Sequence, residues 1–232
     1  MASRAPVLIA PSMNVNMWEN RALQKNIQAL MERGYHLIEP GEGELACHWY
    51  GKGRLADLSE VLEKAEDILS PKDLKGERIL VTAGPTQESI DPVRFITNHS
   101  SGKMGYALAK VARRRGAEVL LVTGPTSLPI PRSDIKLISV KTAEEMRKAV
   151  FAHLKDCSVV IKAAAVSDYR PKEISRMKLK KTSFSASLEL ERTRDILGEI
   201  GKKKGKRILV GFAAETEDLI SNARKKLKEK NL

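Results

Sequence analysis

From residue 79 onward the sequence alternates apolar runs with segments of helical periodicity, and this alternation constrains the fold more than any other feature. The apolar runs that read as strands lie at residues 79–82, 118–123, 135–140, 158–163 and 207–212. Strands that alternate with helices form parallel sheets through right-handed crossovers. We therefore predict an α/β fold with a Rossmann-like parallel sheet and helices on both faces.

The helices between these strands have recognisable ends. A helical pattern begins at Lys103, and a capping box, with Thr142 at the cap and Glu145 three residues on, opens the next helix, which ends near Leu154. A short alternating run at residues 187–191 predicts an additional strand. Residues 192–197 open another helix, and residues 215–230 form the last one.

Residues 1–70 give a thinner pattern: a short strand that runs into a loop (5–14), a helix (18–33) closed by Gly34, a strand (36–39), a Gly-rich loop (40–54) and a helix (58–69). These strands are too few for a sheet with two covered faces. We expect this segment either to pad the second domain or to be the tail of a partial domain, and a linker to follow at residues 71–76. The second domain, residues 77–232, is expected to be truncated at its C-terminus, because a further strand would normally follow.

Composition excludes several protein classes. No long apolar run or signal peptide indicates a membrane or secreted protein, so we expect a cytoplasmic one. Cys47 and Cys157 form no CxxC motif, which argues against a zinc site or a disulfide scaffold. The net charge of +12 could serve nucleic acid, but aromatic residues make up only 4% of the chain. A polyanionic small molecule explains some of the excess equally well, and we expect no nucleic-acid partner.

A polar loop at residues 94–105 joins the first strand region to the helix that starts at Lys103. Small-residue loops before a helix expose backbone N–H groups beside the positive end of the helix dipole, where anions bind. This loop also carries Arg94, Asn98 and His99, which a plain phosphate loop does not need. The combination predicts a site that handles a reacting group as well as a phosphate.

Four segments should meet at the carboxyl edge of the sheet, where open parallel sheets bind ligands. They are residues 83–105, residues 163–168, a basic flap at residues 169–182, and residues 211–216. Their cations could hold phosphates, and a carboxylate such as Asp168 could hold a divalent metal. Asp168 could equally cap a turn, and Lys178, Lys180 and Lys181 could form a solvated stretch. These residues alone predict a phosphate- or nucleotide-binding domain.

Longer motifs narrow this prediction. Residues 79–88, 90–105, 163–170, 178–181 and 211–216 resemble, in order and spacing, the phosphopantothenate–cysteine ligase half of the bacterial bifunctional coenzyme A enzymes. Residues 10–18 and 43–47 resemble the back half of the fused flavin-dependent phosphopantothenoylcysteine decarboxylase. Together the two likenesses cover nearly the whole chain. They imply that residues 1–70 are a partial flavodoxin-like decarboxylase segment ahead of the ligase domain.

The resemblance implies a reaction in two steps. The carboxylate of 4′-phosphopantothenate attacks the α-phosphate of CTP in the presence of Mg²⁺, and cysteine then displaces CMP to form the amide. By position, Asn98 steadies the acyl-cytidylate, Arg94 shares its motif, and Lys178 is the catalytic lysine of the flap. The positions that match nucleotide contacts are Asp168, Asp195, Ile196, Leu197, Phe212, Lys226 and Lys230; no residue is assigned to a metal.

The chain departs from the family pattern in places. Arg194 replaces a frequent proline beside the residues that read cytosine, so preference for CTP is in question. Asn14 and Cys47 match decarboxylase residues, but His48 replaces a usual glycine, and the FMN-binding front of that domain is missing. We expect no decarboxylation from this polypeptide, while ligase homodimers are a family property. Two alternatives stay open: a nucleotide-binding fragment without turnover, and a Rossmann-type oxidoreductase.

Overall fold

In a computed structural model, the chain forms two compact units, Met1–Pro71 and Lys72–Leu232. The structure describes residues 4–130, 134–180, 187–213 and 217–232. Within these ranges, none of the helices has both the length and the apolar character needed to cross a bilayer. The two units are described separately below.

In the described residues 4–71, the first unit has two small sheets and three helices. Its elements are β1 (Leu8–Ile9), α1 (Val15–Glu19), α2 (Arg21–Glu32), β2 (His36–Leu37), β3 (Gly41–Glu44), β4 (Tyr50–Arg54) and α3 (Leu58–Leu69). Strands β1 and β2 pair in parallel. The sequence predicts one helix at residues 18–33, but the structure divides it at Asn20. The Asn20 side chain accepts a hydrogen bond from the Ala22 amide at 2.9 Å and so caps α2.

The predicted Gly-rich loop at residues 40–54 is instead an antiparallel hairpin of β3 and β4. Glycine is depleted in strands, which is why the sequence pattern indicates a loop. The hairpin depends on a close approach to the segment that follows β1, because the Met13 amide donates to the Gly53 carbonyl at 2.8 Å. A β-carbon at Gly53 would collide with the Met13 carbonyl oxygen.

The second unit contains a five-stranded parallel sheet in the order β13–β10–β5–β8–β9. Its elements are β5 (Arg78–Ala83), β6 (Gln87–Ser89), β7 (Phe95–Thr97), α4 (Lys103–Arg114), β8 (Glu118–Thr123), β9 (Ile135–Ser139), α5 (Ala143–His153), β10 (Val159–Lys162), β11 (Tyr169–Pro171), β12 (Leu190–Arg192), α6 (Ile196–Lys202), β13 (Ile208–Gly211) and α7 (Leu219–Glu229). The chain leaves β5 toward β8 and β9, then crosses back to β10 and β13. This confirms the predicted Rossmann-like sheet and sets a switch point between β5 and β10.

Helices cover both faces of this sheet, as predicted. Successive strand residues point to opposite faces, so Val81 packs on one side and Leu80 on the other. The Val81 side includes Ala109 and Ala112 of α4. On the Leu80 side, α5 and α6 contribute Met146, Val150, Ile196 and Ile200. Each large side chain buried in this way stabilises the fold by roughly 1.5–3 kcal/mol.

Two local features fix the ends of these helices. Thr142 and Glu145 form the predicted capping box at the start of α5. Gly105, in the first turn of α4, lets the helix approach the end of β5, because a β-carbon there would lie 2.5 Å from the Ala83 β-carbon. Small size at residue 105 therefore sets the position of the helix that follows the polar loop.

The segment at residues 71–76, expected to be a linker, is tied to the end of α4 from Lys72 onward. The Leu74 amide donates to the Arg115 carbonyl at 2.9 Å. Arg115 also pairs with Asp73, their NH2 and Oδ2 atoms lying 2.6 Å apart. These bonds place residues 72–76 within the second unit.

Candidate functional site

A cleft of about 910 Å³ opens beyond the carboxyl ends of β5 and β10, at the switch point of the sheet. We call it the central cleft. Its lining residues are Asn98, Met104, Lys162, Ala163, Ala164, Ala165, Val166, Asp168, Tyr169, Arg192, Thr193, Arg194, Asp195, Ile196, Leu197, Phe212, Lys226 and Lys230. Most of its charged side chains are cationic, so an anionic ligand suits it.

Backbone hydrogen bonds join the loop after β10, which lines the central cleft, to the loop directly after β5. The Ala165 amide donates to the Gly84 carbonyl at 2.9 Å, and the Thr86 amide donates to the Ala165 carbonyl at 3.2 Å. The hydroxyl oxygen of buried Thr86 accepts from the Ser167 amide at 3.0 Å. The loops after β5 and β10 are therefore held together, which fixes the backbone around Asp168.

Asn98 is positioned by a hairpin that the sequence analysis did not find. Strands β6 and β7 pair antiparallel, and the Thr97 hydroxyl donates to the Thr86 carbonyl at 2.8 Å. The Asn98 side chain follows directly and donates from Nδ2 to the Ala165 carbonyl at 3.0 Å. This bond holds the carboxamide at the edge of the central cleft, beside the end of β10.

Thr193 ties the segment that leads to Asp195 to the backbone at Asp168. The Thr193 amide donates to the Asp168 carbonyl at 2.9 Å, and its hydroxyl donates to the Ser167 carbonyl at 2.6 Å. Asp195 caps α6 by accepting from the Gly198 amide at 3.1 Å. This cap leads directly into Ile196 and Leu197, whose side chains are buried although both residues line the cleft.

The last helix brings two lysines to the central cleft. Lys226 and Lys230 are one helical turn apart and share a face of α7. The Lys226 ammonium donates to the Phe212 carbonyl at 2.6 Å, and the Lys230 ammonium pairs with Asp195 at 2.8 Å. Burial opposes ionisation of Asp195, but hydrogen bonds from Lys230 and from the Gly198 amide outweigh it and lower the pKa of Asp195.

Sequence analysis missed Lys162, the last residue of β10. It reaches the central cleft from the floor, where burial lowers its pKa to about 8. Attraction from Asp195 opposes that shift, and repulsion from Lys226 and Lys230 adds to it. The signal that could have identified it is a lysine ending an otherwise apolar strand at the edge where ligands bind.

Arg94 and Lys178 do not line the central cleft. Arg94 pairs with buried Asp91, NH2 to Oδ2 at 2.6 Å, and also donates to the Leu179 carbonyl at 2.9 Å. The Leu179 amide donates to Asp91 at 3.2 Å. Hydrogen bonding from Arg94 is the largest influence that lowers the pKa of Asp91, with backbone amides adding to it. Arg94 therefore anchors the described part of the flap, and neighbouring Lys178 is exposed.

Two of the predicted segments extend beyond the residues that the structure describes. Lys181 in the flap at residues 169–182, and residues 214–216 in the segment at residues 211–216, lie outside the described residues. In the described part of the chain, no group of three or more His, Cys, Asp and Glu side chains could hold a metal ion.

In the first unit, the two predicted decarboxylase residues meet. The Asn14 amide nitrogen Nδ2 lies 3.0 Å from the Cys47 sulfur, while its Oδ1 accepts from the Asn16 amide at 2.8 Å and caps α1. Cys47 is exposed in the turn between β3 and β4. His48 beside it has φ of +61°. Glycine adopts that conformation without strain, which gives a physical reason for the glycine that the family resemblance implies at this position.

Comparisons with known proteins agree with both units. Residues 74–232 match the family described as "DNA/pantothenate metabolism flavoprotein C-terminal domain", and residues 1–70 match the family described as "Flavoprotein". The C-terminal domain of a Coenzyme A biosynthesis bifunctional protein CoaBC, known from a crystal structure, superposes with a TM-score of 0.62. It is 52% identical and covers 69% of this chain and 76% of its own.

Two curated relatives align along the whole chain. The Coenzyme A biosynthesis bifunctional protein CoaBC of Bacillus subtilis is 49% identical over 235 residues, and the alignment covers 58% of that protein. A Cysteine/Cysteine sulfinic acid decarboxylase from an unknown prokaryotic organism is 47% identical over 238 residues, with 66% of it covered. The chain thus spans less than two thirds of the length of either relative.

Proposed function

The chain belongs to the DNA/pantothenate metabolism flavoprotein family, and from this premise we propose that its second unit is a CTP-dependent phosphopantothenate–cysteine ligase. The observation that carries the proposal is the convergence of eight predicted site residues on one cleft at the switch point. They are Asn98, Asp168, Asp195, Ile196, Leu197, Phe212, Lys226 and Lys230. Such a convergence from five separate segments suits a nucleotide that reacts there, rather than a phosphate held by one loop.

In the first proposed step, a carboxylate oxygen of 4′-phosphopantothenate attacks the α-phosphorus of CTP. The bond from that phosphorus to the bridging oxygen breaks, and pyrophosphate leaves. Lys226 and Lys230 line the cleft and would hold the triphosphate, because preorganised cations stabilise the charge that develops on its oxygens. The backbone before α6, at residues 195–197, would read the cytosine, with Phe212 beside the nucleotide.

In the second step, the amine nitrogen of cysteine attacks the acyl carbon of the acyl-cytidylate. CMP leaves with the electrons of the broken C–O bond, and the amine loses a proton as the amide forms. Asn98 would steady the intermediate through its carboxamide, whose orientation the Ala165 carbonyl fixes. Lys178 would have to reach the acyl phosphate from its exposed position on the flap, and Arg94 would support that flap through Leu179.

Mg²⁺ in this proposal arrives with CTP. The described residues contain no metal-ligand cluster of their own, so phosphate oxygens and water would supply most of the coordination. A second copy of the chain, forming the homodimer that the family resemblance implies, and a cytoplasmic location belong to the same proposal.

We assign the first unit to the C-terminal segment of a flavin-dependent decarboxylase domain. Asn14 and Cys47 fit a substrate site because their side chains meet at an exposed turn. The described residues of the first unit fit a flavin less well than they fit this substrate site. An apolar cavity of about 160 Å³ lies between α2 and the first small sheet, which is below the roughly 300 Å³ of the smallest usual ligand pockets. FMN would need groups beyond those that line this cavity.

The experiment that tests the ligase is a two-stage assay on the whole chain. Phosphopantothenate, Mg²⁺ and CTP are supplied first, cysteine second, and release of pyrophosphate and CMP is followed. We expect pyrophosphate release to require phosphopantothenate, and CMP release to require cysteine. Asn98→Asp and Lys178→Gln should each lower turnover by about 100-fold or more, as loss of a transition-state contact does. The matched control, Cys47→Ala in the first unit, should keep full ligase activity.

Each alternative outcome has a distinct meaning. CTP binding without pyrophosphate release would support a nucleotide-binding fragment that does not turn over. Equal activity with ATP would contradict the proposed recognition of cytosine by residues 195–197, which follow Arg194, the residue that departs from the family pattern. If the chain neither binds CTP nor turns it over, the proposal is overturned.

A further inference from the structure

Three lysines share the central cleft, but they differ in what their ammonium groups already contact. Lys226 is engaged by the Phe212 carbonyl and Lys230 by the Asp195 carboxylate. Among the residues that the structure describes, the Lys162 ammonium has no hydrogen bond or ion pair, although the Lys162 backbone is paired within the sheet. Within that part of the chain, Lys162 is therefore the cleft lysine whose ammonium is not held by another group of the protein.

Lys162 is fixed at its backbone and surrounded by charge at its tip. It pairs with Thr82 of β5 and Gly211 of β13, so it occupies an inner strand of the sheet beside the switch point. The charged groups around it are Asp168 after β10, Asp195 before α6, and Lys226 and Lys230 on α7. Arg192, the last residue of β12, and Arg194, which follows that strand, line the same cleft.

We propose that Lys162 is the ammonium that the phosphate chain of the nucleotide recruits on entering the central cleft, so that nucleotide binding takes up a proton at Lys162. The proposal rests on the proposed function, because it uses the same nucleotide site. It adds a residue to that site and makes the affinity for the nucleotide depend on pH.

The sign follows from the electrostatics of the free and bound states. In the free protein, burial lowers the pKa of Lys162 to about 8, so the amine is increasingly neutral above that pH. A bound polyphosphate favours the charged ammonium and raises the pKa. Between the two values, binding must be accompanied by protonation. Affinity therefore falls as pH rises above 8, by at most about tenfold for each pH unit.

The test is calorimetric titration of Mg·CTP into the whole chain, at about pH 7 and about pH 8.5, in pairs of buffers with different ionisation enthalpies. With a free-state pKa near 8, uptake should be about 0.8 proton per CTP at the higher pH and about 0.1 at the lower one. The Lys162→Arg variant keeps the charge and should bind CTP with no such uptake, because arginine does not deprotonate. The Lys162→Met variant should bind more weakly.

A matched control is Lys226→Arg, which changes a neighbouring cleft lysine in the same way and should retain the proton uptake. Uptake that persists in Lys162→Arg would assign the proton to another group and overturn the inference. If CTP does not bind the unmodified chain, the proposed function fails, and inorganic tripolyphosphate is titrated instead. Tripolyphosphate binding with Lys162-dependent uptake would preserve the inference, whereas no binding of either probe would end both.

Discussion

The two units begin with the same kind of sequence, short strands that alternate with amphipathic helices, but only the second unit builds a deep core. In the second unit, five parallel strands carry two clusters of buried side chains, one on each face. In the first, β1 and β2 are two residues each, and neither α2 nor α3 has a buried residue. The comparison teaches that an amphipathic helix needs a sheet wide enough to receive its apolar face.

The comparison also bears on function. In the second unit, the candidate site residues lie on loops at the carboxyl edge of the sheet and on α6 and α7. Groups positioned in this way are preorganised, which electrostatic stabilisation of a transition state requires. In the first unit, Asn14 and Cys47 meet at the surface on a hairpin. We therefore expect the chemistry of this chain to reside in the second unit.

Among substitutions that test this difference between the units, Met146→Ala is expected to have the largest effect on the free energy of unfolding. Met146 is 0% exposed in the cluster beneath α5, so removing it should cost about 2–5 kcal/mol of unfolding free energy. The matched variant, Met31→Ala, removes the same side chain from α2 in the first unit, where it is 50% exposed, and should change stability by only about 0.5 kcal/mol or less.

Spectroscopy can assign each loss to a unit. Both tryptophans of the chain, Trp18 and Trp49, belong to the first unit, whereas most of the regular secondary structure belongs to the second. In urea unfolding, Met146→Ala should move the circular dichroism transition and leave the tryptophan fluorescence transition in place. If both transitions moved together, the two units would share one cooperative core and the comparison would fail.

A smaller effect is expected from Asp91→Asn in acid. Because Arg94 lowers the pKa of Asp91, the carboxylate stabilises the folded unit above its unfolded pKa of about 4, and this contribution is lost as pH falls below that value. The asparagine variant should be less stable at pH 7 and should lose less of its remaining stability between about pH 4 and pH 2.

The control for this prediction is Asp73→Asn. The arginines of the two pairs are equally exposed, at 41%, but Asp73 is 49% exposed and Asp91 is 0% exposed. Solvent screens the exposed pair, so the control should change the acid transition much less. Equal effects of the two substitutions would show that burial of Asp91 does not matter. The measurement is the urea midpoint by circular dichroism across the pH range.

The smallest effect is expected from Leu62→Ser on α3. Leu62 is 66% exposed and, with Leu58 and Leu69, forms an apolar stripe on the helix surface. The variant should unfold within about 0.5 kcal/mol of the unmodified chain. A loss of 2 kcal/mol or more in the tryptophan transition would mean that this stripe is covered in solution.

The sequence was sufficient for the large elements of the second unit and insufficient for the small ones. Strand β8 has the predicted bounds, and the capping box at Thr142 starts α5 as expected, because local propensity and periodicity agree there. The hairpin of β6 and β7 was missed, since three-residue strands have no detectable period. The hairpin of β3 and β4 was also missed, but for another reason: its glycines indicate a loop, and only the tertiary packing shows that they form strands.

The candidate site was predictable through motifs rather than through periodicity. Eight of the predicted residues line one cleft, but Arg94 was expected to face a ligand and instead pairs with Asp91. Lys162 was missed because a strand-terminal lysine has no motif of its own. Its role becomes apparent only from its lowered pKa and from its charged neighbours Asp195, Lys226 and Lys230, which are distant from it in sequence.

The ion pair between Lys230 and Asp195 has a consequence for how binding responds to salt. In the free protein, the Lys230 ammonium is already paired with the Asp195 carboxylate. When a phosphate binds Lys230, one anionic partner therefore replaces another. Fewer solution counterions are then displaced than the number of cleft lysines implies. The dependence of nucleotide affinity on ionic strength should therefore be shallow. It should become steeper in Asp195→Asn, because the partners of Lys230 are then solution counterions, which are released when the nucleotide binds.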